Sequence, residues 1–351
     1  MKATIDGTHT IQFPWQSPPS ASEVIELRPG LLWARLKLPF RLNHVNIYLL
    51  EEHDGWTMID AGFGNEATAA AWEDLFAGPL ASVKVTRLIV THAHPDHVGM
   101  AGWMVRRFGC TLWMTREEYL QAAYRQDLEK ADRQAEQRMF FRLHGMDETM
   151  TDQLLGRGQD YLKKVSSLPP SYVRLVGGDA IEIGSRRFDV LTGGGHAFDQ
   201  VMLHCPDDRL FLSADQVLSK ISPNISVWAV EPHADSLGEY LQSLHEIAAT
   251  IPDDVLVLPG HGLPFVGLKQ RIDQLIHHHE TRCLMIEQSC QRSPKAAVEL
   301  IDTVFDRPLE DAHQMGFAAG EVIAHINYLL RRNRLATIDD GTTLRFSTRG
   351  A

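Results

Sequence analysis

The sequence predicts an α/β fold in which short strands end at turns that carry metal-binding side chains. The clearest example is the apolar, β-branched run 83–90, which is typical of a strand and is followed at Pro95 by a helix start. Three later runs, 186–191, 209–212 and 254–258, also end at turns rich in small residues. Binding groups in α/β sheets collect where strands end, so we expect these four turns to lie together.

The first of these turns holds four candidate ligands: His92, His94, Asp96 and His97. A strand-to-helix turn can present His92 and His94 to one ion, and Asp96 and His97 to a second ion nearby. Imidazole and carboxylate together suit zinc, iron or manganese better than calcium or magnesium. A His-x-His pair alone could arise by chance in a chain with 17 histidines. The three later turns argue against chance.

Each later turn also leads to a candidate ligand. Glycines and other small residues precede them in the three segments Thr192 to His196, Ser213 to Asp215, and Pro259 to His261. Glycine has no side chain, so the backbone can approach a ligand closely there. Seven candidate ligands therefore follow strands along the chain.

This pattern resembles the metallo-β-lactamase superfamily, whose hallmark is a His-x-His-x-Asp-His motif followed by a later His, Asp and His. The resemblance covers about residues 24 to 265. It implies an αββα sandwich, in which two mixed sheets are covered by helices and the metals lie at one sheet edge. It also implies two divalent ions, with zinc expected first and iron or manganese next. The implied ligands are His92, His94 and His196 for the first ion, Asp96, His97 and His261 for the second, and Asp215 as a bridge.

Asp60 has two alternative roles. The segment Asp60 to Gly62 follows a predicted strand at 56–60 and matches an Asp-x-Gly of the superfamily, where the aspartate supports the ligands. Equally, Asp60 could be the N-cap of a helix predicted from Glu66 to Phe76. Two further strands are predicted within 31–50.

Residues 115–165 form an insert that is charged, helix-forming and without strand patterns. Its second part carries apolar residues: Met139, Phe140, Phe141, Leu143, Met146, Met150, Leu154, Leu155, Tyr161, Leu162 and Val165. Helix packing explains most such residues. Alternatively, Phe141 and Met146 line the substrate pocket as part of a helical cap, because Phe and Met are adaptable wall material.

Residues 266–351 are expected to form a small second domain beside a catalytic domain at 1–265. Helices are predicted at 270–291 and 310–334, with a further helix start at Ser293-Pro294. Residues 335–346 alternate around Asp340-Gly341 as a hairpin does, which completes the outline of a winged helix. This tail resembles the winged-helix-like C-terminal domain of a hydroxyacylglutathione-hydrolase-like subgroup, which includes a β-lactamase-like endoribonuclease.

Two polar clusters in the tail have simpler interpretations than function. We expect His277, His278 and His279 to lie on a solvent-facing helix. Arg331, Arg332 and Arg334 could touch phosphate, but basic residues at a helix end are more often explained by the helix dipole.

Composition narrows the possible partners. With 45 acidic and 34 basic residues the net charge is −11, which disfavours a nucleic-acid binder that relies on a broad basic face. The four cysteines are scattered and indicate neither a disulfide framework nor a thiolate zinc site. No apolar run approaches the roughly 20 residues that span a bilayer, and residues 1–7 lack a signal-peptide core. We therefore expect a cytoplasmic protein with a small-molecule substrate and no membrane partner, and a homodimer is an option.

The resemblance implies a dinuclear hydrolase that uses a metal-bridging hydroxide. Two ions about 3.5 to 4 Å apart can lower the pKa of a shared water from 15.7 towards roughly 7. Asp96 could additionally orient this hydroxide. The first candidate substrate is a thioester of the acyl-glutathione or acyl-CoA type, followed by a lactone. The alternatives are cleavage of single-stranded RNA, iron-dependent sulfur dioxygenation and a structural metal module, although structural zinc is normally closed by four protein ligands.

Three features near the ligands leave the substrate open. Alanine stands at Ala214, where the family usually has glycine, and Ala197-Phe198 replaces the commoner Ser/Thr-Pro after His196. Lys220 could hold a carboxylate or phosphate of the substrate, but a solvated loop lysine explains it equally well.

Overall fold

Two stacked β-sheets form the centre of the molecule in the computed structural model, which describes residues 10–126, 131–158, 164–306, 308–309, 311–339 and 341–349. Within these residues the first sheet has seven strands in chain order: β1 Ile25–Arg28, β2 Leu31–Lys37, β3 His44–Glu51, β4 Trp56–Ile59, β5 Val85–Ile89, β6 Thr111–Met114 and β7 Val173–Arg174. The second sheet contains β8 Ala180–Ile183, β9 Arg186–Gly193, β10 Gln200–Cys205, β11 Leu210–Ala214 and β12 Leu256–Pro259. Its spatial order is β12-β11-β10-β9-β8. Both sheets mix parallel and antiparallel pairs.

The inner faces of the sheets share one hydrophobic core. Trp33 of β2 and Ile89 of β5 pack there with Phe188 of β9 and Leu212 of β11. Each of these strands places alternate side chains on this inner face. The sandwich predicted from the resemblance is confirmed.

Helices cover the outer faces of both sheets. On the first sheet these include α1 Glu66–Ala77, α2 Pro95–Val98 and α3 Ala101–Phe108, which form a second core with strands β2 to β6. On the second sheet, α7 Ser236–Thr250 packs with the C-terminal helices described below. Of the helices that the structure describes, none is long and apolar enough to cross a membrane.

The insert is helical, as predicted, and its described part contains no strand. It comprises α4 Arg116–Gln126, α5 Ala131–Leu143 and α6 Glu148–Gly158. Phe141 and Met146 are 6% and 1% exposed, and both belong to the core that includes the C-terminal helices. Helix packing therefore accounts for their burial, and their contact with substrate stays a prediction. The predicted cluster members Tyr161 and Leu162 lie outside the described residues.

The described residues of the tail form three C-terminal helices, α8 Leu268–Arg292, α9 Ala297–Val304 and α10 Ala312–Arg331, and a hairpin of β13 Leu335–Asp339 and β14 Leu344–Thr348. Helices followed by a hairpin match the predicted element order. Asp340, at the predicted turn, lies outside the described residues.

The predicted helix start at Ser293-Pro294 is wrong. Ser293 is extended and ends α8, because the residue before a proline is driven away from the helical region. Lys295 then pairs with Phe346 of β14 through two backbone hydrogen bonds of 3.0 and 2.8 Å, so α9 begins only at Ala297.

The prediction for His277 to His279 is also wrong in part. His277 is exposed, His278 is half-buried and His279 is fully buried. Successive helical residues point about 100° apart, so three in a row cannot all face solvent on a packed helix.

Candidate metal centre

The predicted turns meet at one edge of the sandwich, where the two sheets are joined by backbone hydrogen bonds. Val201 N donates to Thr91 O over 2.9 Å, and Asn46 N donates to Gly260 O over 2.7 Å. Five of the described strands end at this edge, and a polar residue lies one to three positions after each: Asp60 after β4, His92 after β5, His196 after β9, Asp215 after β11 and His261 after β12. The edge therefore collects side chains from both sheets.

Three histidines form the first triad, with His92 and His94 from the β5 turn and His196 from the β9 turn. His94 Nδ1 lies 2.9 Å from His92 Nε2 and 3.1 Å from His196 Nε2. Nitrogens that share a tetrahedral zinc ion with bonds of about 2.0–2.1 Å lie roughly 3.3 Å apart. This triad can hold one metal ion.

Asp96, His97 and His261 form the second triad. His261 Nε2 is 3.4 Å from Asp96 Oδ2, and His97 Nε2 is 3.8 Å from the same oxygen. Each triad thus takes two ligands from the β5 turn and one from the second sheet. The second triad can hold another ion.

Asp215 lies between the two triads. Its Oδ2 is 3.4 Å from His196 Nε2 in the first triad, and 3.5 and 3.2 Å from Nε2 of His97 and His261 in the second. Among the described residues, neither His97 Nε2 nor Asp215 Oδ1 has a hydrogen-bond partner, although both atoms are buried. Buried polar atoms normally have partners, and two metal ions would supply them here. The residues present fit a dinuclear site.

Four of the histidines are oriented by a hydrogen bond at the ring nitrogen that faces away from the site. His92 Nδ1 contacts Thr91 Oγ1 at 3.0 Å, and His97 Nδ1 contacts Asp60 Oδ2 at 2.7 Å. His196 Nδ1 lies 2.9 Å from Asn224 O, and His261 Nδ1 lies 2.6 Å from His44 O. Such bonds fix the ring and leave the other nitrogen for a metal.

Asp60 supports the ligands, as one of its two predicted roles required. Besides His97, its carboxylate accepts bonds from Thr91 N at 2.8 Å and Thr91 Oγ1 at 3.0 Å. The alternative role is wrong, because the N-cap of α1 is Asn65, whose side chain accepts from Thr68 N. Asp60 has a left-handed backbone with φ of 64°, a conformation that non-glycine residues adopt rarely and often at functional sites.

The two triads differ in electrostatics. Burial lowers the pKa of His92 and His94, so both are neutral at pH 7. Burial alone would also lower the pKa of His261, but Asp215 and Asp96 raise it to about 10. Asp215 and Asp60 likewise overcome burial and raise the pKa of His97. Because metal ions bind neutral imidazole, binding at the second triad must release protons.

Small residues at the turns allow the backbone to lie close to the candidate ligands and to helix α7. A Cβ on Gly260 would lie 2.2 Å from Asp215 Oδ1. Gly195 has φ of +94°, and its Cβ would lie 2.4 Å from Ser236 O and 2.5 Å from Tyr240 Cβ in α7. Ala214 also has a left-handed backbone, with φ of 45°, which explains why glycine suits this position.

One supporting residue, Glu118 of α4, is not distinguished in the sequence from the other charged residues of the insert. Its carboxylate is fully buried and accepts from Ala93 N at 2.7 Å and from Asp199 N at 2.9 Å. Burial raises the pKa of this carboxyl. Glu118 thereby joins the turn of His92 and His94 to the turn of His196.

The His261 turn is held by side chains of β2 and β3 that the sequence does not single out. Asn46 Nδ2 and Tyr48 Oη each donate to Pro259 O over 2.9 Å. Arg35 donates to Gly262 O. These contacts join strands more than 200 residues apart, so no local pattern indicates them.

The contact that the structure shows for Lys220 does not involve the candidate ligands. Lys220 is exposed, and its Nζ is 5.3 Å from the ring centroid of Phe13. Contact between Lys220 and a substrate anion stays a prediction.

Comparison with known proteins agrees with this geometry. The metallo-β-lactamase superfamily profile matches residues 41–261, and the metallo-β-lactamase-like C-terminal domain profile matches 283–349. Probable metallo-hydrolase YqjP of Bacillus subtilis is 23% identical over 90% of this chain and 96% of its own.

Two solved structures are similar over nearly the whole chain. The β-lactamase domain protein of Burkholderia ambifaria is 38% identical, with a TM-score of 0.89 over 96% of this chain and 98% of that one. A metallo-β-lactamase family protein of Thermus thermophilus is 27% identical, with a TM-score of 0.78 over 92% and 100% of the two chains. The chain therefore belongs to the metallo-β-lactamase superfamily.

Proposed function

We propose that this protein is a dinuclear metal-dependent hydrolase of acyl substrates, with a thioester of the acyl-glutathione or acyl-CoA type first and a lactone next. The observation that carries the hydrolase proposal is the position of Asp215 Oδ2, within 3.5 Å of ligand nitrogens in both triads. Two divalent ions held there would acidify a water molecule and polarise a carbonyl group.

The seven candidate ligands would have different roles in binding the two ions. His92, His94 and His196 would bind one ion, Asp96, His97 and His261 the other, and Asp215 both. The side chain of Asp96 is 19% exposed, against 7% for Asp215, so it is the more accessible carboxylate. The positive neighbours His97 and His261 overcome burial and hold the pKa of Asp96 below its usual value. Asp96 is therefore ionised and can accept a hydrogen bond from the attacking water and orient it.

An aromatic wall, which is linked to His196 through Asn224, favours a substrate with an apolar part. We define this wall as Phe40, Trp228, His313 and Phe317. Phe40 stacks on His313 at 5.4 Å between centroids, and Phe317 contacts His313 at 4.6 Å and Trp228 at 6.4 Å. The Phe317 carbonyl accepts from Asn224, the residue that orients His196. The wall and the net charge of −11 suit an acyl chain better than a polyanion.

A hydrolysis screen on protein of known metal content tests this function. Acyl-glutathiones, acyl-CoAs, lactones and single-stranded RNA are compared on zinc-loaded protein, and oxygen uptake is followed on iron-loaded protein. We expect thioester turnover that is lost in His94→Ala. Salt-sensitive RNA cleavage without thioester turnover, or oxygen uptake as the main activity, would contradict the proposal. Each added methylene that the wall buries is worth about 0.8 kcal/mol, so longer acyl chains should be preferred several-fold.

A further inference from the structure

The orientation of His196 depends on a backbone carbonyl outside any regular element. Its Nδ1 lies 2.9 Å from Asn224 O, and its Nε2 faces His94 in the first triad. Asn224 lies in the segment between β11 and α7, which contains neither strand nor helix. No strand ladder holds this carbonyl in place, so other contacts must fix it.

Helix α10 supplies those contacts. The side chain of Asn224 donates from Nδ2 to Glu321 Oε2 at 3.1 Å and to Phe317 O at 3.3 Å. Three residues further along, Val227 N donates to Gly320 O at 3.1 Å. A Cβ on Gly320 would lie 2.7 Å from Ser226 Oγ, so glycine permits the segment to lie against the helix.

Glu321 is itself fixed by a buried ion pair. The residue is 5% exposed, and its Oε1 accepts from the Arg282 guanidinium of α8. The Arg282 guanidinium also lies 4.7 Å from the ring centroid of Phe305. The carboxylate therefore uses one oxygen to bind α8 and the other to bind Asn224.

We propose that Glu321 is a positioning residue for the first triad: held by Arg282, it fixes Asn224 and thereby the ring of His196. The C-terminal helices then determine how tightly the first ion binds, although they contribute none of the seven ligands. This inference concerns metal binding and goes beyond the proposed function, because it holds for any substrate.

A neighbouring cluster could suggest a third metal site instead. Donor atoms of His279, Glu321 and His325 lie within 4.8 Å of one another, and His279 Nδ1 is 3.2 Å from His325 Nε2. However, Arg282 and Asn224 already occupy the two carboxylate oxygens, and the guanidinium would repel a divalent ion. We interpret these histidines as a hydrogen-bonded pair that packs beneath Glu321.

The test uses Asn224→Ala and Glu321→Gln in the full chain, with Glu287→Gln as the matched control. Glu287 lies on α8 and pairs with Arg334, which follows α10, so its replacement removes a carboxylate–arginine pair of the C-terminal region without touching Asn224. Stepwise removal of zinc by a chelator measures the affinity of each ion. The absorption spectrum of the cobalt-substituted protein reports on ligand geometry, and thermal unfolding of the metal-free protein reports on folding.

We expect Asn224→Ala to lower the affinity for one of the two ions about 10- to 100-fold, as loss of an orienting partner does in other metal sites. The same substitution should change the absorption spectrum of the cobalt-substituted protein. Glu321→Gln should act in the same direction, and the double variant should be non-additive. The control should keep both affinities within about twofold.

Three results would overturn the inference. The first is unchanged affinity and spectrum in both Asn224→Ala and Glu321→Gln. The second is an equal loss in Glu287→Gln, which would indicate general destabilisation. The third is a third zinc ion in the wild-type protein that is lost in His279→Ala, which would make the cluster a metal site of its own.

Discussion

The two triads share the β5 turn but are supported by different parts of the molecule. In the second triad, His97 is oriented by the side chain of Asp60, which directly follows β4, and His261 by the carbonyl of His44 in β3. In the first triad, His196 is oriented by Asn224, which is held by a C-terminal helix. The third ligand of the second site, His261, is thus oriented by a strand of the first sheet, and that of the first site, His196, by a segment that a C-terminal helix holds. The two sites should therefore respond to different substitutions.

The largest expected effect is that of a substitution that weakens metal binding at both sites. Asp215→Ala should weaken both sites and abolish turnover, because Asp215 Oδ2 lies within 3.5 Å of donor nitrogens in both triads. His261→Ala should mainly empty the second site. Elemental analysis should find about two ions per wild-type chain. Tight binding of two ions and full turnover in Asp215→Ala would contradict the assignment.

The second largest expected effect is a difference between the two sites in how their metal affinity depends on pH. The pKa of His261 is raised to about 10, so the metal-free second triad holds a proton at pH 7 that an ion must displace. Its metal affinity should therefore rise with pH by roughly tenfold per unit for each proton released, up to about pH 10. The first triad, whose His92 and His94 have lowered pKa values, should change much less. Calorimetry in buffers of different ionisation enthalpy measures the protons released; equal release at both steps would contradict this difference.

Asp60→Ala should affect the second site directly through His97, and the first site indirectly through Thr91, which contacts His92. The ring of His97 would lose its orienting carboxylate, at a cost of about 10- to 100-fold in affinity for the second ion. The control is Asn65→Ala, which removes the cap of α1 and should reduce stability by about 1 kcal/mol without changing metal affinity. A similar loss of metal in both variants would show that Asp60 acts only through folding.

The smallest expected effect is that of Ala214→Gly. Glycine relieves the left-handed backbone at this position but also gives the unfolded chain more freedom. We expect a gain of at most about 1 kcal/mol in the free energy of unfolding, measured with denaturant, and unchanged metal content. A clear loss of stability would show that the methyl group of Ala214 packs usefully.

The candidate ligands could be located from sequence because each lies in a turn, or at a helix start, within a few residues of the end of a strand. The motif His92 to His97 is local, and glycines mark the turns of His196 and His261. The supporting residues could not be predicted in this way. Glu321 meets Asn224 across 97 positions, and Glu118 meets Asp199 across 81, so only the folded chain brings them together.

The errors have the same origin. Ser293-Pro294 has the form of a helix start, but the pairing of Lys295 with the distant Phe346 delays α9. Of the apolar residues predicted to cluster in the insert, Phe140, Phe141 and Met146 are buried, whereas Met139 is 60% exposed. Phe141 and Met146 pack with C-terminal helices that begin more than 100 residues later. Hydrophobic pattern indicates that a side chain is buried, but not against which surface.

Both triads combine ligands from two halves of the chain, two from the β5 turn and one from the second sheet. Neither half contains a complete set. Each bound ion would therefore link the two halves of the chain. Binding of one ion would stabilise the folded state by about 4 kcal/mol when the concentration of free metal is a thousandfold above the dissociation constant. The lifetime of the protein in the presence of proteases would then depend on the local metal supply, and starvation for metal would remove the enzyme as well as its activity.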